Sequence, residues 1–145
     1  TACFKPYSVA VARDVLAESG VEVCAVIGFP HGNSTTALKV AETQQVIADG
    51  ATEVDMVINV GKALGGDWAY VSDEIKAINA ACVDENAILK VIFETDYLED
   101  AHIIRLCEIC SEHKVAFVKT SSGFGFVKGS DGKYSYQAQP NTTLS

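Results

Sequence analysis

The chain has 145 residues, 48% of them hydrophobic and 21% charged, and carries a net charge of −8 at pH 7. That is enough apolar matter for one folded domain with a core and too much for a disordered segment. No apolar run reaches the roughly 20 residues of a membrane helix, no basic-then-apolar leader opens the chain, and eleven scattered basic residues make no nucleic-acid surface, so a cytoplasmic protein with neither membrane nor nucleic acid as partner is expected.

A short β-rich run at residues 2–4 precedes a helical pattern over 8–18 that stops at Gly20, with Val9, Val11, Ala12, Val15 and Leu16 as its stripe. A strand follows at 22–29. Ser34, Thr35 or Thr36 can cap the next helix, whose stripe of Leu38, Ala41, Gln45, Val46 and Ala48 ends at Gly50. Strand 53–60, helix 68–82, strand 87–94, helix 98–113 and strand 115–119 complete the alternation. The last residues, AQPNTTLS at 138–145, are polar, contain Pro140 and carry no stripe; the domain is therefore set at residues 1–137, with a divergent tail after it. Five cysteines, Cys3, Cys24, Cys82, Cys107 and Cys110, are odd in number and lie in mostly apolar surroundings, which reads as reduced thiols packed in a core. Cys107 and Cys110 spell C-x-x-C late in a helix, away from the N-terminus that would acidify a thiol.

Successive β/α units with no obvious hairpin predict an α/β fold with a parallel sheet, either an open doubly wound sheet or part of a (β/α)8 barrel. Side-chain parity separates the two. In EVDMVINV, Val54, Met56 and Ile58 point one way and Glu53, Asp55 and Val57 the other. In ILKVIFET, Lys90, Ile92 and Glu94 share a face, and in VAFVK Lys119 shares one with Phe117 and Val115. Three neighbouring strands with charges on one parity do not suit a sheet covered by apolar helices on both faces. A barrel gives those charges an interior that opens to water at its C-terminal mouth, where barrel enzymes keep their sites.

That placement gathers Asp55, Lys90 and Lys119 in one pocket. A lysine attacks a carbonyl only as the free amine, which calls for desolvation or a neighbouring cation. The apolar strand around Lys119 is expected to supply the first and Lys90 the second, with Asp55 as proton carrier. The alternative is that Lys90 and Lys119 pair with Asp55, Glu53 or Glu94 in a network that only holds the barrel together.

The stretch FVKTSSGFGFVKGSDGKYSYQ at 117–137 resembles the Schiff-base strand and loop of the deoxyribose-phosphate aldolase family, class I aldolases built on a (β/α)8 barrel. ACFKPYSV, VIGFPHGNSTTALKVAET, GATEVDMVINVGKALGGDW and ILKVIFETDYL match the same family in the same order, so the resemblance covers about residues 1–137. It implies reversible cleavage of 2-deoxyribose 5-phosphate to acetaldehyde and glyceraldehyde 3-phosphate, with no metal or organic cofactor. It makes Lys119 the imine-forming lysine and Asp55 the acid/base. Lys90 lines the substrate site, joined by Thr120, by Ser122 where the family usually has threonine, and by Gly123, whose backbone approaches the phosphate. For His31 in the PHG marker a structural loop role is expected.

The family's usual length is that of a whole barrel, about 250 residues. The resemblance implies a piece running from the second strand to the sixth, without the first strand or the GVKPAGGVR-like segment that carries a second catalytic lysine. An aldolase impaired by truncation is therefore expected. Two alternatives stand beside it: a non-catalytic aldolase remnant acting by subunit association, which allows a homo-oligomer, and a flavodoxin-like binding module, which strand order would distinguish.

Overall fold

The computed structural model describes residues 1–136; the tail assigned to 138–145 lies outside the described residues. Five parallel strands, β1 (Ala2–Phe4), β2 (Val23–Ile27), β3 (Glu53–Val57), β4 (Ile88–Ile92) and β5 (Phe117–Lys119), pair in the order β1-β2-β3-β4-β5. Each strand lies beside the one before it in sequence. A doubly wound sheet reverses direction from an early strand, so this order excludes the flavodoxin-like arrangement and is that of an arc of a (β/α)8 barrel.

The helices α1 (Val9–Leu16), α2 (Thr36–Ala48), α4 (Trp68–Asp84) and α5 (Asp100–Glu112) connect the strands, with a one-turn helix α3 (Val60–Leu64) before α4. Their starts follow local chemistry. The Thr35 hydroxyl accepts from the Leu38 amide, Asn59 from Lys62 and Asp67 from Tyr70, each satisfying a donor that the first helical turn leaves free. The core lies between sheet and helices: Ala25, Ile27, Val54, Met56, Leu89, Val91 and Phe93 face Val46, Ile75, Ile78, Leu106 and Ile109, all buried. Each fully buried branched or aromatic side chain contributes roughly 1.5–3 kcal/mol of transfer free energy. The opposite parity, with Cys24, Val26, Asp55, Val57 and Ile92, faces the inside of the arc.

Four features depart from the sequence expectation. In α2 the expected stripe holds only at Val46, which is buried: Leu38, Ala41, Gln45 and Ala48 are exposed, and Lys39 and Thr43 are buried beside Val46 instead. In α1, Val9 and Ala12 are buried, but Val11 and Val15 point to solvent. The helix α3 interrupts what reads as the end of a strand. An antiparallel hairpin, β6 (Phe126–Lys128) with β7 (Tyr134–Tyr136), follows the sheet. Asp131-Gly132 makes its turn, Gly132 at φ 78°, and the Phe126 ring packs against Tyr134 and Tyr136. Asp-Gly between alternating aromatics is a hairpin signal that the β/α periodicity obscured.

Candidate active site

Register sets the site. Asp55 lies beside Lys90 across the β3–β4 pair, and Lys119 beside Ile92 across β4–β5. All three side chains enter the arc, as parity predicts. Lys119 Nζ is 2.6 Å from Asp55 Oδ2, and Lys90 Nζ is 3.3 Å from Asp55 Oδ1 and 2.6 Å from Glu53 Oε2. Asp55 is 2% exposed and Lys119 43%.

Burial alone would raise the Asp55 carboxyl, but hydrogen bonds from Lys119 and Cys24 and the charges of both lysines hold it below its ordinary value. Burial would likewise lower Lys90, and the hydrogen bond to Glu53 with the charge of Asp55 outweighs it, so Lys90 stays above its usual range. The surroundings of Lys119 differ from those expected. Phe117 and Val118 are exposed on β5, the edge strand of the described sheet, so the strand does not seal the lysine. The charge of Lys90 is taken up by Glu53 and Asp55 rather than left to act on Lys119.

The loop after β5 is fastened to the end of β4. Glu94, buried and at φ 59°, accepts from the Ser121 hydroxyl at 2.9 Å, the Ser122 amide at 3.2 Å and the Ser122 hydroxyl. The Thr120 carbonyl accepts from the Thr95 amide at 2.9 Å. The Gly123 amide, at φ 80°, donates to Ser121 Oγ, and the Phe124 amide to Ser122 Oγ. Ser122 and Gly123, expected beside a phosphate, are thus engaged within their own loop. Glu94 holds this loop, whereas its shared parity with Lys90 suggests from the sequence only a partner for one of the lysines.

A pocket of about 240 Å³ opens against this cluster, with Lys119, Ser122, Cys3, Lys5, Phe29 and Phe124 in its wall. Phe29 and Phe124 meet edge to face at 5.4 Å, and Lys5 Nζ stands 4.1 Å over the Phe29 ring. Lys5, which sequence reasoning passed over, adds a cation at the mouth. His31 is exposed in the loop after β2. Its neighbour Gly32 is obligatory: at φ 66°, a Cβ there would lie 1.8 Å from the Ile58 carbonyl oxygen.

Two cysteines read as inert core thiols also belong to the site. Cys3, exposed, has Sγ 3.4 Å from Cys24 Sγ, and Cys24 Sγ is 3.1 Å from Asp55 Oδ1. The donor atoms of Cys3, Cys24 and Asp55 lie within 4.8 Å of one another, a set with affinity for a soft cation. The Lys90 and Lys119 ammonium groups beside it oppose one.

A second ion pair lies on the other side of β3. Lys39 Nζ is 2.9 Å from Glu74 Oε1 and 2.8 Å from the Val57 carbonyl, Glu74 Oε2 accepts from the Asn59 amide, and both side chains are 0% exposed. Gly28 leaves the space: a Cβ there would come within 2.8 Å of Lys39 Cε. Burial pushes Lys39 down and Glu74 up, against their mutual attraction.

Comparison with known proteins adds the lineage. Residues 3–143 match the DeoC/LacD family aldolase profile. A deoxyribose-phosphate aldolase of Rhodopirellula baltica is 48% identical over 123 residues, 85% of this chain and 51% of the relative; one of Treponema denticola is also 48% identical, over 57% of its own length. A crystal structure from Coccidioides immitis, described as a candidate deoxyribose-phosphate aldolase, superposes with a TM-score of 0.81 at 37% identity, covering 88% of this chain and 50% of that one. The chain belongs to the DeoC/LacD family of aldolases and spans about half the length of the curated relatives it matches.

Proposed function

We propose that the chain carries the imine-forming part of a deoxyribose-phosphate aldolase site, acting on 2-deoxyribose 5-phosphate and, in the whole aldolase, releasing acetaldehyde and glyceraldehyde 3-phosphate. The observation that carries this reading is Lys119, 43% exposed at a pocket and 2.6 Å from the buried carboxylate of Asp55.

As the free amine, Lys119 attacks the aldehyde carbon of the sugar; the carbinolamine loses water and becomes an iminium. The bond between the second and third carbons then breaks, its electrons moving into the iminium to give an enamine, while the third-carbon hydroxyl loses its proton and leaves as an aldehyde. Protonation and hydrolysis of the enamine release acetaldehyde and restore the lysine. Asp55 receives the ammonium proton at the start and exchanges protons with the carbinolamine hydroxyl and the enamine carbon, directly or through a water. Lys90, charged and bridging Glu53 and Asp55, helps keep Asp55 ionised for that task. Lys5 and Ser122, both in the pocket wall, support assigning the phosphate end of the substrate to this side, with Thr120 and Gly123 of the same loop assigned to it as well.

Acetaldehyde with borohydride tests the reading. A reduced two-carbon adduct mapped to Lys119, and absent from Lys119→Ala, supports it; an unmodified Lys119 in folded protein overturns it. A second reading, association with other subunits through β5, rests on Phe117 and Val118, exposed on the edge strand of the sheet formed by the described residues. Size measured across a dilution series, with and without a charge at Val118, distinguishes it.

A further inference from the structure

We propose that Cys3 and Cys24 form a modification site, at which an oxidant of the peroxide class joins them in a reversible disulfide that reaches into the Asp55 cluster. The two residues are direct partners in the parallel β1–β2 pair, and their sulfurs already stand 3.4 Å apart. Neighbouring strands spaced ~4.8 Å apart fall within the Cα separation that a disulfide spans. Closing to the bonded length moves the sulfurs by roughly 1.4 Å, within reach of χ1 rotation in both side chains.

The pair is unequal in a way that orders the chemistry. Cys3 is exposed and lines the pocket, whereas Cys24 is buried. The contact with Cys24 holds the Cys3 thiol below its ordinary value, with help from Lys119 and Lys90 against burial and Asp55; the same contact, burial and Asp55 raise Cys24. Elsewhere burial pushes Cys82 and Cys110 up to about 12. Cys3 therefore reacts first. Its thiolate attacks one peroxide oxygen, the O–O bond breaks, and a sulfenic acid forms. The Cys24 sulfur, losing its proton, then attacks the Cys3 sulfur, and the S–O bond breaks. In sum two thiols lose two hydrogens and one peroxide becomes two waters.

The bridge removes the Cys24 S–H from Asp55 Oδ1, where it now lies at 3.1 Å, and moves a sulfur in the pocket wall that Lys119 shares. Bridge formation is independent of the aldolase reading; only its effect on turnover rests on that reading.

Trypsin provides the test, because cleavage after Arg13 and Lys39 puts the two cysteines on separate peptides, 1–13 and 14–39. The intact protein is treated with hydrogen peroxide, alkylated and mapped. Expected are loss of two of the five free thiols, a mass about 2 Da lower, a linked 1–13/14–39 peptide, and full reversal by dithiothreitol. In Cys24→Ser, Cys3 should stop at a sulfenic acid captured by dimedone. Sulfinic acid on Cys3 with Cys24 still alkylated, or a bridge confined to Cys107 and Cys110, overturns the proposal. Borohydride trapping on the same samples is scored separately: if the reduced protein captures no acetaldehyde the aldolase reading fails, and the peptide map still decides the bridge.

Discussion

Two lysine–carboxylate pairs flank the same strand, and they differ in nearly everything except composition. Lys39 and Glu74, on the helix side of β3, are sealed from water, with the Val57 carbonyl and Asn59 amide completing their hydrogen bonds. Lys119 and Asp55, on the inner side, share a carboxylate with a second lysine, and Lys119 opens onto a pocket. A pair closed on every side has no room for a reactant and serves to fix the packing of α2 and α4 on β3. A pair with one exposed member and one buried member can exchange its partner for a substrate. What separates a structural ion pair from a chemical one is access to the ammonium group, not the presence of the charges.

The largest effect that would break this contrast is at Lys119. Lys119→Ala should abolish borohydride-dependent capture of acetaldehyde while leaving the circular dichroism spectrum unchanged; capture surviving at another lysine would erase the distinction. Asp55→Asn should keep the nucleophile but slow imine formation by ~10²–10⁴-fold, the usual range for a lost proton carrier, read as the rate of trapping. At the sealed pair, Lys39→Ala should cost about 3–5 kcal/mol in urea unfolding by stranding Glu74, with the trapping yield per folded molecule unchanged. The double substitution Lys39→Met with Glu74→Leu should recover most of that stability, because a well-packed apolar pair of similar volume often equals a buried ionic one.

The smallest effect sharpens the comparison through pH. Asp55 is held below its ordinary value in the folded chain, so the folded state binds fewer protons there; that stability is present above about pH 4 and is lost as pH falls through the lowered value. Glu74 is raised, so its contribution has the opposite sign, present below about pH 4 and lost as pH rises through the raised value. Urea midpoints across pH should therefore change slope in opposite directions for Asp55→Asn and Glu74→Gln.

The same contrast explains what could be read from the sequence. Period-two alternation in EVDMV, ILKVI and VAFVK is a local property, and it is enough to put Asp55, Lys90 and Lys119 on one face of adjacent strands. The five strands and their barrel-like order were legible for the same reason. The face of α2 was not, because counting apolar residues favours Leu38 and Ala41, whereas the helix buries Lys39 against a carboxylate 35 positions away. The solvation of Lys119 was also hidden, since it depends on what lies beside β5 and not on the residues of β5 itself. Glu94 as the anchor of the loop, rather than as the partner of a lysine, and the thiol pair were missed because their partners, Ser121 and Ser122 in one case and Cys24 with Asp55 in the other, come from separate segments.

The Glu94 clamp has a consequence for motion. One carboxyl group gathers the Ser121 and Ser122 hydroxyls and the Ser122 amide, and those hydroxyls in turn receive the Gly123 and Phe124 amides. The Ser122, Gly123 and Phe124 amides therefore depend, directly or through a serine hydroxyl, on one carboxyl group, and its release frees them together. Hydrogen exchange at Ser122, Gly123 and Phe124 should proceed as one correlated opening, and Glu94→Gln should speed all three together.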